Sequence, residues 1–181
     1  MRLKKPRPLT PTYRDDLILS PAEENEMTPV FLMGQDAWGA DYTTETYLDI
    51  CYQSEKYRSG RWFILRNSNG TPIASTITYA ISGHNNSSWI GIGSLATAPG
   101  SRKKGYGLTC LSMLIEGYEK QQLTKGFMLF QDVQTKIYSS AGFITAESMD
   151  HKGFSPNLLL RTPENNHQEI EHFSKNPPGY F

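Results

Sequence analysis

The chain has 181 residues, enough for one domain with a substantial core. With 38% apolar and 20% charged residues it reads as globular rather than disordered. Lys and Arg balance Asp and Glu at 18 each, so nothing in the charge favours broad binding to nucleic acid or to an anionic membrane.

Residues 1–12 hold Arg2, Lys4, Lys5 and Arg7 among three prolines and read as a flexible basic arm, without the apolar run of a signal peptide or membrane span. A cytoplasmic location is the expectation. Asp16 to Leu19 is a short apolar strand. Ser20-Pro21-Ala22-Glu23 has the form of a capping box with proline at the first helical position, but Pro29 would interrupt a helix begun there. A restart with Thr28 as the cap fits equally well and would end at Gly34. Thr43 or Thr44 caps a second helix whose Tyr47, Leu48 and Cys51 share a face.

Arg61 to Arg66 is a strand, and Asn67-Ser68-Asn69-Gly70 is a hairpin turn. Ile73 to Ile81 and Trp89 to Thr97 are the next strands, joined by a polar turn at Gly83 to Ser88. Gly91 and Gly93 point to a bulge or a close backbone approach within the second of them. A helix opens at Gly105 and carries Leu108, Leu111, Ile115 and Tyr118 on one stripe. Gly126 to Phe130 is a strand, Thr135 to Ala141 a short helix stopped by Gly142, and Phe143 to Ser148 and Phe154 to Leu160 a closing strand pair. The domain is expected to span 13–162, with a polar tail over 163–181. The fold class is therefore α/β: a mixed, mostly antiparallel twisted sheet of six to seven strands flanked by helices.

The turn Arg102-Lys103-Lys104-Gly105-Tyr106-Gly107 carries the chemistry. It joins a buried strand to a helix. The first turn of a helix has N–H groups without intrahelical acceptors and a positive dipole end. Glycines admit a phosphate close to that backbone, and the three basic side chains add charge. No G-x-x-x-x-G-K-[ST] pattern is present, and Gly105-Tyr106-Gly107 lacks the third glycine of a dinucleotide fingerprint. Cys51 and Cys110 are far apart and form no metal or disulfide pattern.

Two blocks resemble the Gcn5-related N-acetyltransferase (GNAT) superfamily. Leu95 to Gly107 is similar to its fourth-strand ending and (Arg/Gln)-x-x-Gly-x-(Gly/Ala) loop. Tyr138-Ser139-Ser140-Ala141-Gly142-Phe143 is similar to its Tyr-x-x-x-Gly-Phe ending. Ala37-Trp38-Gly39 and the stretch from Leu129 to Tyr138 also resemble a fungal lysine N-acetyltransferase-like branch, although the long C-terminal part of those proteins has no counterpart here.

The resemblance implies acetyl-CoA as cofactor and a primary amine as acceptor, with direct transfer in a ternary complex by a monomer or homodimer. A catalytically weak member serving as an acyl-CoA-binding module is the alternative. By the same resemblance the backbone of Leu95, Ala96 and Thr97 would pair with the pantetheine arm. The amides from Arg102 through Lys103, Lys104, Gly105, Tyr106 and Gly107 to Leu108 would hold the pyrophosphate, with Gln131 beside the cofactor. Tyr138 would protonate the leaving thiolate. Trp38, Asp41, Tyr79 and Asp132 would line the acceptor side. An ammonium has no lone pair, so its proton must leave before attack, and the strand Trp89 to Thr97 holds no carboxylate to take it. Asp132, Asp41 and Glu45 are candidate bases, and a water relay is the expectation. His84 and His151 fall in polar turns.

Overall fold

The computed structural model describes residues 4–131, 136–145, 157–162, 167–176 and 178–179. Residues 61–66 (RWFILR) form β3 (Arg61–Arg66) because alternate side chains bury on opposite faces of a covered sheet. Phe63 and Leu65 meet the long helix α5 (Tyr106–Lys120), whereas Trp62 and Ile64 meet the first helices of the chain. Asn67 Oδ1 accepts from the amides of Asn69 at 3.1 Å and Thr71 at 2.9 Å, and Gly70 takes φ +78°. That turn sends the chain back as β4 (Pro72–Ser82), which pairs with β5 (Ser88–Thr97).

The sheet also contains β1 (Thr12–Arg14), β2 (Leu17–Pro21), β6 (Gly126–Phe130), β7 (Ile144–Thr145) and β8 (Leu158–Arg161). Among the described residues its order is β1-β2-β3-β4-β5-β6-β8-β7, eight strands rather than six to seven, the extra one being the short edge strand β1. Among the described residues only β5 and β6 pair in parallel. Helices α1 (Met27–Leu32), α2 (Gln35–Trp38), α3 (Thr44–Gln53) and α4 (Glu55–Ser59) precede β3. Thr43 caps α3 by accepting from Thr46 N at 3.2 Å. Ser20 and Pro21 belong to β2, and the capping box forms one step later, between Glu23 and Glu26. Helix α6 (Lys136–Ser140) ends at Gly142, where φ +82° lets Phe143 N reach Tyr138 O at 3.0 Å.

Both ends of the chain depart from the sequence expectation. The basic arm is tied down: Ala80 N donates to Lys4 O at 2.8 Å, Arg61 Nε to Pro6 O at 3.3 Å, and Leu9 is buried. In place of a tail the chain has α7 (His167–Lys175), whose Ile170 and Phe173 are buried, with Phe173 4.9 Å from the Trp89 ring. The buried Glu169 accepts from His84 N at 2.8 Å and from the Ser87 hydroxyl, so α7 pins the polar β4–β5 turn. Among the described residues no helix is long and apolar enough to cross a membrane.

Candidate functional site

Strand β5 keeps β4 along its whole length but keeps β6 only from Trp89 to Ile92, opposite Gly126 to Leu129. On its other edge β6 pairs with β8 from Phe127 to Phe130, and Gln131 N continues that pairing to Asn157 O at 2.9 Å, past the point where β5 is lost. On the β4 side Ile77 faces Gly93 but Ser75 faces Ala96, which leaves one extra residue on β5. This is a β-bulge, and Ser94 within it has φ +45°. The two parallel strands therefore part, and among the described residues the β5 edge at Leu95–Thr97 has no strand partner on that side.

The chain then makes a 3-10 turn over Pro99–Ser101 and enters α5 through two left-handed residues, Lys103 (φ +61°) and Gly105 (φ +83°). Among the described residues no side chain caps α5. Its first helical bond is Thr109 N to Gly105 O, and the amides from Lys103 to Leu108 have no hydrogen-bond acceptor among the described residues. A Cβ built on Gly105 meets nothing within 4 Å. Gly107 lies against Thr97, with 3.3 Å from its virtual Cβ to Thr97 Oγ1, and this seats the first turn of α5 at the end of β5. The row of free amides thus lies at the mouth of the wedge opened by β5 and β6.

The basic side chains divide. Lys103 and Lys104 are exposed beside the turn, Lys104 donating to Gly100 O at 3.2 Å. Arg102 turns away from the amides. Its Nε donates to Thr97 O at 3.0 Å, one terminal nitrogen donates to Met33 O at 3.2 Å, and the guanidinium grips both Asp36 carboxylate oxygens. The hydrogen bonds from Arg102 hold the Asp36 carboxyl below its ordinary pKa. Arg102 therefore fastens α2 to the turn.

Trp38 stands half-exposed on Gly34 and lines a cavity of about 250 Å³ together with Asp36, Leu95, Ala96, Thr97 and Arg102. The structure thus brings one expected acceptor residue to the β5 edge. Tyr79 is a correction: it is fully buried in the core under α1–α4, because β4 is central and covered on both faces. Asp41 and Glu45 are exposed around the start of α3, and Asp132, His151 and Thr135 lie outside the described residues. Tyr138 is half-buried on α6 and packs edge-on to Phe143, with ring centroids 6.5 Å apart. Cys110 is fully buried in α5, and burial pushes its thiol up to about 12, which excludes it as a nucleophile at neutral pH. Sequence reasoning missed Asp36 as the partner of Arg102.

The model of the acetyltransferase (GNAT) family matches residues 27–143. The chain belongs to that family. Solved structures share the fold at low identity. A GNAT family N-acetyltransferase (YhbS) from Escherichia coli in complex with CoA has a TM-score of 0.59 at 11% identity, covering 93% of this chain and 98% of that one. A GNAT family acetyltransferase from Brucella melitensis in complex with acetyl-CoA gives 0.56 at 10%, covering 82% and 88%. The ribosomal-protein-S18-alanine N-acetyltransferase from Escherichia coli gives 0.55 at 17%, covering 83% and 97%. No curated protein matches the chain.

Proposed function

We propose that this protein is an N-acetyltransferase that moves an acetyl group from acetyl-CoA to a primary amine by direct transfer in a ternary complex. The observation that carries this reading is the unpaired edge of β5 leading to an uncapped row of amides at the start of α5. An extended amide-bearing chain fits the first, and a pyrophosphate fits the second. Leu95, Ala96 and Thr97 would hold the pantetheine arm through their backbone. The amides of Lys103, Lys104, Gly105, Tyr106, Gly107 and Leu108 would hold the pyrophosphate, and Lys103 and Lys104 add charge. Tyr138, on α6 beside Phe143, would supply the proton to the leaving thiolate. Trp38 would border the acceptor, with Asp132, Asp41 and Gln131 as further residues of the site.

Calorimetric titration with acetyl-CoA, CoA and ATP tests the donor side. CoA species should bind and ATP should not; preferential binding of ATP would sink the assignment. Release of free CoA thiol across a panel of amino acids, polyamines and peptides tests the acceptor side. The absence of any ionisable side chain on β5 favours one second reading, an acyl-CoA-binding module, which binds in the first experiment and releases nothing in the second.

Because the Arg102 guanidinium is engaged by Asp36, Thr97 and Met33, its contribution to CoA binding is to shape the turn. Asp36→Ala should weaken CoA binding about as much as Arg102→Ala, by several-fold, with no further loss in the double variant. A much larger loss in Arg102→Ala alone would show that the guanidinium meets phosphate directly.

A further inference from the structure

We infer that Asp36 is a positioning residue for the acceptor. Through Arg102 it holds Trp38, the wall facing the β5 edge, to the same turn that offers the free amides, so that cofactor and amine each tighten the binding of the other. This rests on reading the wedge as the site of acetyl transfer to an amine.

Helix α2 cannot hold its own place. It has four residues, none of them buried, and among the described residues no side chain caps it. A single helical turn is not stable by itself. Two of its ties lead to α3: Gln35 Nε2 donates to Thr44 Oγ1 at 3.1 Å, and Gly39 rests on the Tyr47 ring, 2.1 Å from its virtual Cβ. The hydrogen bonds that tie α2 to the turn come from Arg102.

That guanidinium brackets one glycine. One terminal nitrogen donates to Met33 O at 3.2 Å and to Asp36 Oδ1 at 2.8 Å, and the other donates to Asp36 Oδ2. Gly34 lies between these acceptors, and the Trp38 ring lies directly on it, with a virtual Cβ on Gly34 only 2.1 Å from Trp38 Cζ3. The seat of Trp38 is thus clamped from both sides. The Nε of the same guanidinium donates to Thr97 O at 3.0 Å, at the end of the free β5 edge. Lys103, the next residue, has the left-handed backbone that opens the row of amides. One side chain therefore ties together the edge proposed for pantetheine, the turn proposed for pyrophosphate, and the seat of Trp38.

A bidentate carboxylate fixes a guanidinium in one plane, so the fork reaches all its acceptors only when the turn and α2 stand in one arrangement. A ligand that orders the turn then orders the seat of Trp38. An ammonium held against the Trp38 face does the converse, and by linkage the factor is the same from either side. Both partners of the ion pair are part-exposed, and such a pair adds little to global stability. Its loss should free α2 without unfolding the domain.

Trp38 is 42% exposed, whereas Trp62 and Trp89 are 8% and 0% exposed, so acrylamide quenching of tryptophan fluorescence in the full chain reports on Trp38. Asp36→Ala should raise the quenching constant about twofold, Arg102→Ala equally, and the double variant no further. Arg102→Lys keeps the charge without the fork and should match Arg102→Ala. Calorimetry with CoA, which carries no acetyl group to transfer, measures the coupling. The best acceptor among lysine, spermidine and a lysine-bearing peptide should tighten CoA binding about tenfold in the wild type and less than twofold in Asp36→Ala. With acetyl-CoA as donor, the acceptor KM of Asp36→Ala should rise about tenfold while kcat at saturation stays within twofold. Unchanged quenching in Asp36→Ala overturns the inference. So does coupling that is absent from the wild type or survives in the variant. A fall in kcat at an unchanged acceptor KM also overturns it, since that is the mark of a general distortion. Wild-type protein that binds CoA but transfers to none of the three amines fails the acetyltransferase reading, and a quenching constant that still rises in Asp36→Ala keeps that failure distinct from a failure of the Asp36 clamp.

Discussion

Replacing Gly105 with valine should abolish acetyl-CoA binding while leaving the protein folded. The backbone of Gly105 lies at φ +83°, a region that costs an L-residue about 1–2 kcal/mol. A domain with about 5–15 kcal/mol of stability survives that. No collision adds to the cost, because a side chain here enters open space. That space lies in front of the uncapped amides, where a pyrophosphate must sit to accept from them. Affinity measured by calorimetry should fall at least 100-fold while the thermal transition moves by a few degrees. Gly105→Asn separates strain from obstruction. Asparagine tolerates the left-handed region and can cap the helix with its own side chain. It should melt close to the wild type and still bind weakly. Unchanged affinity in the valine variant would place the phosphate cradle elsewhere.

Local signals were readable from the sequence to the residue. Arg61–Arg66 and Gly126–Phe130 stand where their apolar runs and flanking turns put them, Thr43 is one of the two residues expected to cap α3, and Gly142 ends α6. Signals that depend on a distant partner were not. Helix α7 exposes most of its polar sequence and buries only Ile170, Phe173 and Glu169 among its described side chains, so nothing in its composition separates it from a tail. Arg102 reads as a phosphate ligand until Asp36, far away in the chain, occupies it. Tyr79 reads as a groove residue because a Thr- and Tyr-rich strand does not reveal that both of its faces are covered.

The wedge itself shows the same division. Its mouth was legible, since glycines before a helix are written in consecutive residues. Its depth was not, because it depends on where β5 stops pairing with β6 while β8 stays paired on the other edge, a choice made by strands more than thirty residues apart. The bulge lies between these cases. Gly91 and Gly93 announce an irregularity in β5, but its position at Ser94 is fixed by the register with β4.

Tyr138→Phe should slow transfer about 100-fold with acetyl-CoA affinity unchanged within twofold. The left-handed Gly142 turns the chain so that Phe143 is buried beside the Tyr138 ring, and Ile137 on the same helix approaches Gly107 at the mouth of the cradle. Phenylalanine keeps this packing, so the donor site stays intact. The phenolic hydroxyl is lost. An ordinary tyrosine, pKa ~10, remains protonated at neutral pH, and a departing alkyl thiolate, whose thiol has pKa ~8.5, gains from a proton donor in the transition state. The deficit should therefore appear in kcat rather than in the KM for acetyl-CoA. It should also shrink when the acetyl donor carries an aryl thiol, which leaves well as the free thiolate. A variant that turns over as fast as the wild type would show that the phenol is not the acid and that Tyr138 serves only to pack α6 against Phe143. A deficit equally large with the aryl donor would place the role of Tyr138 before thiolate departure, in orienting the thioester.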